Sequence, residues 1–314
     1  MRTLIILPRL QIENANAVAG LTWGFPAITH FLGFTHALSR KLSQTQRLTL
    51  GGCAVVCHDY QVHAYSSGRE YQFALTRNPL TKEGKTAAFN EEGRMHLTVS
   101  LVMVCEGEIE GGTYGRKPLA QHLANLCLGM KLAGGTLVNK TLDISVVDFP
   151  ASETELRSAL WHLLPGFVLC DRTSLLEQHY RALRSEKPDV TMLDAWLDFS
   201  ALKMQAVTPE ADASAADMPA QWRYLPKPAA GWLVPLLVGY QRISPLYPPG
   251  QVLNARDAET PFAFTEAVYG VGEWCGVQRI NELNSVIWRY QTSEKGYYCR
   301  SESDVVAHTS LRQG

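Results

Sequence analysis

The stretch "RMHLTVSLVMVC", Arg94 to Cys105, decides how the rest of the chain is read. It is the clearest strand in the sequence, and its almost continuously apolar second half marks a buried element. Upstream, Thr49 to Tyr65 and Arg69 to Leu75 read as further strands, joined to it by the polar loop "TRNPLTKEGKTAAFNEEG". Before them, Ala27 to Leu42 places Ile28, Phe31, Leu32, Phe34 and Leu38 at helical spacing, with Arg40 and Lys41 in the last turn, where the helix dipole favours cations. The chain opens with an apolar strand, Thr3 to Ile12, punctuated by Pro8. "ENANAVAGLTWGFP" then reads as a loop, since Asn, Gly and Pro mark turns. Downstream, Pro118 to Leu132 is expected to be a helix with proline in its first turn, followed by Gly134 and Gly135. "TLVNKTLDISVV" reads as one or two strands. The order β-α-β-β, then β-α-β, matches the split βαβ layout of ferredoxin-like and RRM-like folds. In such folds one sheet face carries helices, and the other can present a platform for single-stranded RNA.

The expected fold class is therefore α+β: an RRM-like core over residues 1–150, a helical insertion over 151–220, and strands with a helix completing the fold over 221–314. Glu153 to Leu163 and Thr173 to Met204 have helical pattern, with a short strand in "LLPGFVLC" between them. "VTPEADASAADMPAQ", near 206–221, is small, acidic and rich in Ala and Pro, and reads as a flexible loop. "GWLVPLLVGYQRISPLY" reads as a buried strand pair or hairpin, and Gln278 to Tyr290 as a final helix.

Composition excludes several classes. With 46% hydrophobic and 19% charged residues, the 314-residue chain is globular in character. No stretch approaches the roughly 18 apolar residues of a membrane span. The net charge is -1, yet acids are unevenly placed. None occurs from Asn14 to His58, from Gly111 to Leu142 or from Trp222 to Arg256, so a neutral sum can conceal a basic track for phosphate. The seven cysteines are scattered without a C-x-x-C and read as buried reduced thiols. Cys53 and Cys57 share one strand face by alternation, so no metal is expected beside His58 and His63. "EGKT" (Glu83 to Thr86) lacks the P-loop's first glycine, having Pro79 there. No catalytic grouping of His, Cys and Asp stands out, and neither catalytic residues nor a cofactor are expected.

Ten segments occur in a recognisable order: "LPRLQIENANA" (from Leu7), "LTWGFP" (Leu21), "GFTHAL" (Gly33), "LTRNPL" (Leu75), "EEGRMHL" (Glu91), "MKLAGG" (Met130), "LLPGF" (Leu163), "GWLVP" (Gly231), "SPLYPPG" (Ser244) and "NARDAETPF" (Asn254). Together they resemble the second-Csy-protein family of type I-F CRISPR systems, the Cas-five-type subunit of the RAMP superfamily. The resemblance implies a non-catalytic, cytoplasmic subunit of the Csy surveillance complex in antiviral defence. It implies pairing with the large Csy subunit and holding the 5′ handle of the CRISPR RNA beside the first backbone Csy subunit. Target DNA near the tail of the complex and phage anti-CRISPR proteins are further expected partners, and no membrane is. Relatives in other CRISPR systems cleave repeat RNA, so a metal-independent endoribonuclease with His36 or His58 as base is the alternative.

RNA contacts are assigned from side-chain chemistry. Arg9, Arg77, Arg242 and Arg256 offer guanidinium forks for phosphate or base edges. Asn14, Asn16, Asn78 and Asn254 offer amides for base edges or for turns. Trp23 is a stacking or interface residue. Lys131 with Gly134 and Gly135 suits a backbone approach, or alternatively a helix cap.

Overall fold

A computed structural model of the chain describes residues 2–68, 70–77, 79–207 and 221–301, with the side chain of Arg77 excepted. In chain order the elements are β1 (Arg2–Asn16), β2 (Val18–Ala19), β3 (Thr22–Trp23), α1 (Ile28–Gln46), β4 (Thr49–Val62), β5 (Ala64–Ser67), β6 (Glu70–Phe73), β7 (Leu75–Arg77), β8 (Phe89–Glu91), β9 (Arg94–Glu106), α2 (Arg116–Leu128), β10 (Lys131–Leu132), β11 (Gly135–Leu137) and β12 (Ser145–Asp148). There follow α3 (Glu153–Leu160), β13 (Phe167–Asp171), α4 (Thr173–Glu186), α5 (Met192–Ser200), β14 (Met204–Val207), β15 (Gln221–Tyr224), β16 (Leu233–Arg242), β17 (Thr265–Gly276), β18 (Arg289–Ser293) and β19 (Gly296–Arg300).

The main sheet is antiparallel and eleven-stranded, in the order β10-β11-β1-β9-β4-β13-β17-β16-β19-β18, with β12 also on β1. The fold is thus mixed α/β, built on one large antiparallel sheet with five helices among the described residues. Trp288, one residue before β18, exchanges both backbone hydrogen bonds with Cys53 of β4, at 2.9 and 3.0 Å. This contact closes β4, β13, β17, β16, β19 and β18 into a ring.

The opening strand explains the layering. β9 alternates buried and half-buried residues from Arg94 to Val99, then is buried at every position from Ser100 to Cys105. Its second half has cover on both faces. Leu101, Met103 and Cys105 share one core with Phe31, Leu38 and Leu42 of α1 and Leu123 of α2, while Val102 and Val104 share another with Leu156 and Leu160 of α3 and with Ile280, Leu283, Val286 and Ile287. Its first half is covered only on the α1/α2 side. Burial of each large apolar side chain contributes about 1.5–3 kcal/mol, which is why the two-sided half reads as a continuous apolar run.

Several sequence expectations change. Of the expected loop after Ile12, residues 13–16 are instead the end of β1, which continues because two bulges, at Leu7/Leu10 and Ile12/Ala15, absorb its irregular pattern, while residues 17–26 are turns around the short β2–β3 pair. α1 runs on to Gln46 and stops at left-handed Arg47, so Arg40 and Lys41 lie before its last turn. "KLAGG" is not a helix cap: Leu132 pairs with Gly135 across Ala133 and Gly134, both at positive φ (51° and 76°), the two-residue hairpin turn that suits strand twist. "GWLVPLLVGYQR" contributes one long strand rather than a hairpin, and its partner is β17, whose glycines and mixed polarity conceal a strand. Gln278 to Tyr290 is not helical beyond the short 3-10 turn Val277–Arg279. Its three-residue spacing of Ile280, Leu283 and Val286 is met by an irregular segment packed on the sheet, with turn-forming Asn281 and Asn284 between. The acidic loop lies outside the described residues except at its ends, which form the β14–β15 ribbon.

Candidate nucleic-acid interface

The uncovered half of the sheet face opposite α1 and α2 is polar. Gln11 of β1, Thr98 of β9 and Asp59 of β4 lie in register across three strands, and Gln61 pairs with His96. At the two bulges that bound this surface, Arg9 (φ 46°) and Asn14 (φ 56°) take the left-handed conformation. Non-glycine residues there are strained, and they persist where surrounding bonds over-determine them.

Arg9 is exposed and tied down by three hydrogen bonds. Its N–H donates to Ser100 Oγ at 2.8 Å, and its carbonyl accepts from Asn139 Nδ2 at 3.1 Å. Its Nη2 donates to the Leu164 carbonyl at 2.9 Å. Asn139 Oδ1 in turn accepts from Gln11 N–H at 2.7 Å. Beneath Arg9, His58 bridges Ser100 Oγ (2.7 Å) and the Pro165 carbonyl (2.8 Å). Burial pushes the His58 imidazole below its ordinary pKa, opposed by the bond to the Pro165 carbonyl and reinforced by the Arg9 charge. Among the described residues no carboxylate pairs with Arg9.

At the second bulge, Asn14 N–H donates to His96 Nδ1 at 3.2 Å, and Arg94 Nη1 donates to the Asn14 carbonyl at 3.4 Å. The His63 ring stands edge-on to His96, with centroids 4.2 Å apart. His63 titrates below its ordinary value, first through burial and then through its histidine neighbour. Arg94 is also paired with Glu92 at 2.7 Å. The β10–β11 hairpin borders this corner. Gly135 lies so close to β1 that a Cβ would come within 2.6 Å of Ile12 Cγ2 and 2.7 Å of the Glu13 carbonyl. Exposed Lys131 pairs with Thr136, which itself pairs with Glu13.

The structure therefore brings together Arg9, Asn14, Lys131, Gly134 and Gly135. Asn16 is adjacent, but its amide serves a turn, contacting both the N–H and the carbonyl of Val18 at 3.1 and 2.9 Å. Trp23 is 47% exposed and packs on Tyr71 and Phe73. It lines a cleft of about 500 Å³ with Phe25, Tyr60, Phe167, Trp232 and Trp274. Arg242 ends β16, which the path β1-β9-β4-β13-β17-β16 separates from Arg9 by five strand steps. Asn254 (φ 59°) and Arg256 follow in an exposed irregular segment. Asn78 and the side chain of Arg77 lie outside the described residues. Sequence reading missed Gln11, Arg94, His96, Thr98, Ser100 and Asn139. The alternation of "RMHLTV" carried the signal for three of them, Arg94, His96 and Thr98, since its polar members share one face.

Among the described residues no group of three or more His, Cys, Asp or Glu is placed to hold a metal ion. All seven cysteines are free thiols, six of them buried. No helix among the described residues is long and apolar enough to cross a membrane.

A family model, CRISPR-associated protein (Cas_Csy2), matches residues 5–299 of the chain. The chain is 38% identical over 323 aligned residues to the CRISPR-associated protein Csy2 of Pseudomonas aeruginosa (strain UCBPP-PA14), with 97% of each protein covered. Near-complete coverage from both sides leaves one conclusion, which the ten ordered segments had indicated: the chain belongs to the Csy2 family of type I-F CRISPR-associated proteins.

Proposed function

We propose that this chain is a non-catalytic subunit of the type I-F Csy complex that grips the 5′ handle of the CRISPR RNA on the uncovered half of its sheet. The observation that carries this reading is the polar, open surface bounded by two strained bulges, with Arg9, in no ion pair among the described residues, at one end and Lys131 at the other. Arginine and lysine there suit phosphates, and Gln11, Asn14 and Thr98 suit base edges. The core is RRM-like in our reading. β1, α1, β4, β9, α2 and β12 follow the split βαβ order, and their strands lie antiparallel in the spatial order β12-β1-β9-β4. In the same reading α3, α4 and α5 are a helical insertion around β13, and β16 to β19 complete the fold as a ring with β4 and β13. Arg77, Asn78, Arg242, Asn254 and Arg256 are proposed as outlying RNA or partner contacts.

Pairing with the large subunit suits the exposed apolar ribbon. Leu202, Trp222 and Tyr224 are 77%, 68% and 67% exposed, more than an isolated chain ordinarily leaves in one place. The first backbone subunit, target DNA near the tail and phage anti-CRISPR proteins complete the proposed partners. The endoribonuclease alternative needs a free base beside RNA, whereas both ring nitrogens of His58 are engaged, one of them with fully buried Ser100. The test is co-expression with the large subunit and CRISPR RNA, followed by ultraviolet crosslinking. Crosslinks from the handle to β1 and β9 support the reading; assembly without any crosslink to this chain overturns it. Repeat RNA cleaved by the purified protein, with cleavage lost in His58→Ala, would favour the nuclease instead.

A further inference from the structure

We propose that Ser100 and His58 are positioning residues for RNA binding, acting through Arg9. The proposal rests on the RNA-holding reading above and adds how the grip is preset.

The hydrogen-bond directions follow from the chemistry of each group. The Pro165 carbonyl can only accept, so His58 Nδ1 carries a proton and donates to it. In the neutral imidazole Nε2 is then an acceptor, and the donor facing it is the Ser100 hydroxyl at 2.7 Å. With its proton so committed, Ser100 Oγ offers lone pairs to Arg9 N–H at 2.8 Å. One ordered chain therefore runs from the Arg9 N–H through Ser100 and His58 to the Pro165 carbonyl. Arg9 and His58 are both held by the turn before β13, because the Leu164 carbonyl accepts from the Arg9 guanidinium while the neighbouring Pro165 carbonyl accepts from His58.

This arrangement addresses a strained residue. Arg9 sits at φ 46°, a conformation that is strained for an L-residue other than glycine. A bulge needs an extra residue but not an arginine in the left-handed region. Fully buried Ser100 also stands in the part of β9 where its neighbours Leu101, Val102 and Met103 are all apolar. A polar residue there costs free energy unless its partners are satisfied. Both costs are met by the same bonds. Their joint effect is an exposed guanidinium anchored at one Nη and, among the described residues, in no ion pair with a carboxylate. An anchored arginine loses less conformational freedom when it meets phosphate than a free one.

The test compares affinities for a fluorescein-labelled RNA carrying the 5′ handle, using the full chain assembled with the large subunit. Ser100→Ala is expected to weaken binding about 3- to 10-fold, the span of one lost hydrogen bond. Ser100→Thr, which keeps the hydroxyl, restores affinity. In an Arg9→Ala background Ser100→Ala brings no further loss, because the residue it positions is gone. Additive losses, or wild-type affinity in Ser100→Ala while Arg9→Ala is weakened, overturn the proposal alone. Wild-type affinity in Arg9→Ala overturns the role of Arg9 itself, and the proposal with it. Should Ser100→Ala fail to assemble, His58→Gln enters the same cycle and is read by the same outcomes.

Discussion

Cys53 and Trp288 face each other across β4 and the residue preceding β18, each donating its N–H to the other's carbonyl at 3.0 and 2.9 Å. The Trp288 indole is fully buried, and its Nε1 donates to the Leu169 carbonyl of β13 at 2.8 Å. The Trp288 backbone thus closes the ring onto β4, and its side chain reaches β13. Trp288→Ala is expected to destabilise the protein by about 3–5 kcal/mol, the range for deleting a buried tryptophan. Chemical denaturation measures it, and a loss under about 1 kcal/mol would show that the ring holds without this anchor.

The two glycines of the β10–β11 turn should respond differently to alanine. Gly135→Ala forces a Cβ onto Ile12 and the Glu13 carbonyl, so the hairpin must leave β1. Gly134→Ala meets nothing closer than Arg94 Nη1 at 3.9 Å, and its cost is the positive φ alone, about 1 kcal/mol. Melting temperatures should rank wild type above Gly134→Ala, with Gly135→Ala lowest. Equal shifts would refute the close packing.

Acid should weaken the fold through His58. Burial disfavours the charged imidazole in the folded chain, so the unfolded chain binds that proton more readily. Stability is therefore full above about pH 6.5, the ordinary histidine value, and falls as pH drops below it. His63 adds in the same direction. Thermal melts between pH 7.5 and pH 5.5 test this, and His58→Gln should flatten the dependence.

Salt dependence separates the proposed contacts. If Arg9 meets a phosphate, Arg9→Ala lowers the slope of log K against log salt by about 0.7, the value per contact on single strands. Arg256→Ala, if Arg256 reads a base edge, instead costs about 1–3 kcal/mol with little change in slope. Filter binding at three salt concentrations distinguishes the two, and an Arg256→Ala complex of unchanged affinity removes Arg256 from the interface.

Much of the architecture was legible along the chain. Period-two and period-3.6 patterns located β1, α1, β4, β9 and α2, because each buries one continuous stripe or face. β17 escaped because Gly270, Gly272 and Gly276 interrupt its pattern, and the packing of Leu169 and Leu236 near Gly272 gives the reason only in three dimensions. The segment Ile280 to Ile287 misled because burial at every third residue looks helical whether a helix or an irregular strap supplies it.

Family membership lies in the order of short segments, which survives without knowledge of any contact. The chemistry of the sheet surface also lies there, since alternation alone sends Arg94, His96 and Thr98 to one side of β9. Folding decided which basic residues meet. Arg9 and Lys131 are far apart in the chain and come to one surface because β11 pairs with β1 and carries the β10 hairpin with it, whereas Arg242 is carried to the far side of the ring. Local sequence encodes faces and periods; long-range strand pairing, which sums many weak contacts, sets which faces become neighbours.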